Sequence, residues 1–96
     1  MIVGTCKALL RIDGAFSLKD KRRTLKSILE RIKSKYNVSA AEIDDNDIWN
    51  SAVIGIACVS NDASYTDGLL QSIISFIESD PRIEVTDFET DTIHLD

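Results

Sequence analysis

Residues 38–60 read VSAAEIDDNDIWNSAVIGIACVS, two strand-like runs separated by a cluster of short polar residues. VSAAEID, residues 38–44, reads as a short strand. Asp44, Asp45, Asn46 and Asp47 readily bond their own backbone and mark a turn. IWNSAVIGIACVS, residues 48–60, is longer and rich in β-branched residues. Within it Ile54, Ile56 and Cys58 alternate with Val53, Gly55, Ala57 and Val59, so both faces of the strand are apolar. Two strands in direct succession make a hairpin, and what flanks the hairpin decides the fold.

Each flank carries a strand and a helix. At the N-terminal end, MIVGTCKALLRI alternates as a strand, with Ile2, Cys6, Ala8, Leu10 and Ile12 on one face and Val3, Thr5, Lys7 and Arg11 on the other. Asp13 and Gly14 break it. Ser17 is a good N-cap and Asp20 stands where a capping box would place its acid, so a helix runs from there to about Tyr36. Leu18, Leu25, Ile28, Leu29, Ile32 and Tyr36 form its sheet-facing stripe. After the hairpin, Asp62 or Ser64 caps a second helix to about Ser79, with Tyr65, Leu69, Ile73, Phe76 and Ile77 on its apolar face. Pro81 cannot continue that helix, and IEVTDFETDTIHL closes the chain as a fourth strand. The order βαββαβ is that of two interleaved split βαβ units. It predicts an α+β, ferredoxin-like sandwich: one domain over residues 1–96, a four-stranded antiparallel sheet and both helices on one face.

Charge is distributed unevenly along this frame. Residues 1–36 hold ten basic and three acidic groups, a net of +7, while residues 37–96 hold one basic group and thirteen acids, a net of −12. Eight of the eleven Lys and Arg residues fall within residues 17–36. On a helical projection Lys19, Arg22, Arg23, Lys26 and Lys33 share one flank with Glu30, and Lys21, Arg31 and Lys35 lie elsewhere on the circumference. A face kept only for solubility mixes both signs, and this one hardly does. The stripe is the candidate contact surface for RNA or for an acidic protein, and Lys7 and Arg11 on the open sheet face could extend it.

Other chemistries find little footing. Two cysteines and one histidine cannot by themselves build a zinc site, and Cys6 and Cys58 lie in apolar strands, where a thiol behaves as a small hydrophobe. The DDND turn lacks the glycine and terminal glutamate of a calcium loop. Asp87, Glu89 and Asp91 point one way along an extended strand, which suits protection of a sheet edge better than wrapping an ion. No nucleophile elbow or phosphate loop is present, so no enzyme, no cofactor and no small-molecule substrate is expected. The N-terminus lacks a signal-peptide pattern and no apolar run reaches membrane length, so the expected location is cytoplasmic, with no membrane partner.

The segment SLKDKRRTLKSILERIKSKYNVSAAEID, followed by WNSAVIGIACVSND, resembles the YlxP-like family of small bacterial proteins of unknown function. The shared pattern is a leucine, a basic cluster, a helix, NVSAAE and a tryptophan-led apolar strand, covering residues 1 to about 78. The resemblance implies a ferredoxin-like fold and a cytoplasmic protein. Through members encoded near translation and ribosome-maturation factors, it also implies an RNA or ribosomal partner. It supplies no catalytic residues.

Known RNA modules narrow the expected mode. An RRM displays aromatics on its central strands, and here only Trp49 stands near a strand end. A KH loop needs Gly-x-x-Gly, a spacing that Gly4, Gly14, Gly55 and Gly68 never have. What remains is sequence-independent contact with the phosphate backbone through cations. The apolar second face of the third strand adds a separate expectation, a homodimer formed through the sheet. The reading is therefore a non-catalytic accessory on RNA or a ribonucleoprotein particle, with a homo-oligomeric module contacting an acidic protein as the alternative.

Overall fold

A computed structural model describes all residues, 1–96. Its elements are β1 (Ile2–Ile12), α1 (Leu18–Lys35), β2 (Ser39–Asp44), β3 (Ser51–Ser60), α2 (Ala63–Glu78) and β4 (Ile83–His94). The strands form one sheet in the order β2-β3-β1-β4, with every neighbouring pair antiparallel. This is the ferredoxin-like arrangement, with β2 and β4 as the edges.

Alternation sets the layers. Cys6, Ala8, Leu10 and Ile12 of β1 and Ala52, Ile54, Ile56 and Cys58 of β3 point into one core together with Leu25, Ile28 and Ile32 of α1 and Leu70, Ile73, Ile74 and Ile77 of α2. Both helices therefore cover one face, and the odd-numbered positions of β1 and β3 form the other, open face. Burial pushes the Cys6 thiol up to about 11, so it stays protonated and inert at neutral pH.

Two expectations about element faces need correction. Trp49 is not at a strand end: β3 begins at Ser51, and Ile48, Trp49 and Asn50 belong to the hairpin turn. The cause is Asp45, whose left-handed φ of 62° starts the turn while its carbonyl accepts from Ile48 N at 3.0 Å. In α2, Thr66 rather than Tyr65 faces the sheet, and Tyr65 is 62% exposed. Gly4 explains the rotation, because a Cβ there would stand 2.3 Å from Thr66 Cγ2. The missing side chain lets the small threonine seat on β1, where a tyrosine ring has no room. Asp62 caps the helix, its Oδ1 accepting from Tyr65 N at 3.0 Å.

Candidate nucleic-acid interface

The basic helix starts at a well-made cap. Ser17 Oγ accepts from Asp20 N at 3.1 Å, and Asp20 Oδ2 accepts from Phe16 N at 3.1 Å. The reciprocal bond of the box thus reaches one residue further back than the N-cap itself. From this start, the stripe that turns inward is Lys21, Leu25, Ile28 and Ile32. Leu18, Leu29 and Tyr36, expected on the sheet side, are only half-buried.

The helical projection sets Lys21 apart from both the sheet-facing stripe and the cationic flank, and the structure places it in the interior with no exposed surface. It stands four residues before Leu25 and seven before Ile28, which puts it on the buried stripe. Its Nζ lies 2.9 Å from Oε2 of Glu42, whose side chain points inward from β2. It also donates a hydrogen bond to the Asp45 carbonyl. The Glu42 oxygen is buried and has no aligned donor, so the contact with Lys21 is ionic rather than a well-directed hydrogen bond. One buried cation thus joins α1 to edge strand β2 and to the turn after it.

The remaining cations fall into two sets. Arg31 Nη1 reaches Asp80 Oδ2 at 3.2 Å, and Arg82 holds both Asp80 oxygens, at 3.0 and 2.7 Å. The Arg82 hydrogen bond is the main reason the Asp80 carboxyl is lowered to about 2, against the opposing effect of its burial. Arg31 also stands over the Phe76 ring at 5.1 Å, and Lys35 at 4.7 Å, where Tyr36 and Phe76 meet edge to face. These side chains bind the helices to each other.

By contrast, Lys19, Arg22, Arg23 and Lys33 are exposed and have no carboxylate partner. Lys26 has only Glu30, at 4.0 Å. Arg22, Lys26 and Lys33 line a groove of about 350 Å³ between α1 and β2, with Leu25 and Leu29 on its wall and Glu42 at its base. The stripe predicted from the sequence therefore stands together on one face, free of internal ion pairs apart from the long contact at Lys26.

Lys7 and Arg11 do not join it. They lie on the open face of the sheet, on the side away from the helices, because they take the outward positions of β1. Arg11 is further occupied by ion pairs with Asp13, at 3.2 Å, and Glu84. Lys7 is unpaired, and is in register with Glu89 on one side and Gly55 on the other. No helix is long and apolar enough to cross a membrane.

Residues 3–90 match the family model described as protein of unknown function (DUF503), further towards the C-terminus than the resemblance read from the sequence reaches. The chain is 42% identical over 85 residues to the uncharacterised protein YlxP of Bacillus subtilis (strain 168), a match covering 88% of this chain and 92% of that one. With a shared sequence running through nearly the whole sandwich, the chain belongs to the DUF503 family.

Proposed function

We propose that the protein is a non-catalytic cytoplasmic accessory that docks on RNA or a ribonucleoprotein particle through Lys19, Arg22, Arg23, Lys26 and Lys33. One observation carries this reading. In a chain with sixteen acidic residues, four of these five cations have no carboxylate partner. Helix cations elsewhere in the molecule are taken up by Glu42, by Asp80 or by aromatic rings. Cations left free on one exposed face are available to phosphates, whose neutralisation releases counterions and drives binding.

The mode is backbone contact rather than base readout. The open sheet face presents Thr5, Lys7, Leu9, Gly55 and Ala57 at its centre, with no aromatic ring on which a base could stack. Few contacts and a net charge of −5 make the binding weak, and each cation–phosphate contact adds to its loss as salt rises. The acidic remainder of the chain repels polyanions that approach from other sides.

The test is sedimentation with ribosomal particles at low and moderate salt, comparing the native protein with a Lys19→Glu, Arg23→Glu, Lys26→Glu variant. The native protein pellets and the variant stays in the supernatant. If neither pellets at any salt, the reading fails. If an acidic polypeptide displaces the protein more effectively than RNA of equal charge, the stripe serves a protein partner instead.

A further inference from the structure

The open face of the sheet divides into two halves. The β2–β3 half is apolar and low: Ala41, Gly55 and Ala57 floor one end of a shallow depression of about 670 Å³ that runs past Thr5 and Lys7 of β1 to Glu89 and Asp91 on β4. Ile43 lies across Gly55, close enough that a Cβ there would meet its Cγ2 at 3.1 Å. A bulge between Glu42 and Asp44 brings Ile43 to this position. Exposed apolar side chains continue around it, with Val59 at 68%, Ile93 at 40% and Leu9 at 37%. The β4 edge is the opposite case: Asp87, Glu89 and Asp91 stand in a row on the same face, opposite Leu9, Lys7 and Thr5, and none of the three is ion-paired.

We infer that this face is covered by a second copy of the chain, packed sheet to sheet about a two-fold axis parallel to the strands. Area permits it. Four strands about 4.8 Å apart and roughly ten residues long, at about 3.3 Å each, present a face of roughly 600 Å² in projection. A corrugated side-chain surface exceeds its projection, which brings it near the roughly 800 Å² per partner of a stable interface. Small residues at the centre allow the usual sheet spacing of about 10 Å.

The charges choose the axis. A two-fold axis across the strands would set β4 over β4 of the second copy, and the acidic row over itself. An axis along the strands sets β4 over the second copy's β2 and β1 over its β3. Lys7 then lies over Gly55 of the second copy, because those two positions are in register within one sheet. The long lysine stem enters the depression floored by small residues, and the acidic rows stay at opposite rims. Both α1 stripes remain on the outer sides of the dimer, so the assembly does not depend on the RNA reading.

The test is the mass of the full chain in solution by sedimentation equilibrium. The native protein is expected at twice 10.7 kDa. Ala57→Glu puts a carboxylate at the centre of the contact and is expected at half that mass, with unchanged circular dichroism. Gln71→Glu on the exposed side of α2 leaves the dimer intact. Should Ala57→Glu fail to fold, Val59→Lys carries the same test on a residue already exposed. A native protein of 10.7 kDa even at about 100 μM overturns the inference. So does a dimer that persists in folded Ala57→Glu or Val59→Lys.

Discussion

Helix α1 carries eight cations that fare very differently. Lys21 is buried against Glu42, and Arg31 and Lys35, though exposed, are engaged by Asp80 and the Phe76 ring. Lys19, Arg22, Arg23 and Lys33 stand free one residue or one turn away. Identical residue types on one helix thus divide into structural and available charge, and the division follows what each helix face meets. The inward stripe meets an inward-pointing glutamate, the α2 side meets Asp80 and an aromatic pair, and the outer flank meets water. Charge that holds the fold should be costly to remove and indifferent to RNA. Free charge should be the reverse.

The largest expected effect is at Lys21. Lys21→Met leaves Glu42 buried without its counter-ion and is expected to cost about 3–5 kcal/mol in urea unfolding. Adding Glu42→Leu removes the orphaned charge and should return most of that loss. A double variant no more stable than the single one would break the account of this pair.

Asp80 comes next. Its carboxyl sits at about 2 in the folded protein and at an ordinary 3.8 when unfolded. A lowered folded value means that the stabilisation is complete above about pH 4 and is lost as pH falls through about 2. Arg31 and Arg82 are partly exposed, so screening holds the contribution to about 1–2 kcal/mol. Asp80→Asn should be less stable than the native protein by that amount at pH 7, and the gap should close near pH 2.

Smaller still are the effects of the free set on folding. Lys19→Gln, Arg22→Gln or Lys33→Gln should each leave stability within about 0.5 kcal/mol. Tyr65→Ser should behave in the same way, because Thr66 rather than Tyr65 meets the sheet. A loss of several kcal/mol at any of these positions would blur the distinction between the two sets.

The sandwich itself was legible in the sequence because period-two and helical patterns are separated by clear breaks, at Asp13–Gly14, at the DDND turn and at Pro81. Strand β3 is the exception at its start, since Ile48 and Trp49 look like strand residues while the left-handed Asp45 turns the chain beneath them. Tyr65 was misplaced because a helical face has no fixed edge in sequence, and the deciding contact, Thr66 on Gly4, lies across the fold. The outer stripe was legible through spacing alone. Lys21 was not, because a lysine is read as exposed unless its partner is seen. Its position before Leu25, together with the inward parity of Glu42 beside Ala40, was the signal that could have revealed the pair. Arg11 was read as available, and its neutralisation by Glu84 depends on strand register that the sequence does not display.

The most direct test of the central claim is the salt dependence of binding to a fluorescent ribosomal RNA hairpin. Each phosphate contact contributes roughly 0.7–0.9 to the slope of log affinity against log salt. Arg22→Gln and Lys33→Gln should each flatten the slope by about that amount. Arg31→Gln, whose guanidinium is held by Asp80, should leave it unchanged. Equal flattening by all three, or none by any, would contradict the division of the helix into structural and available charge.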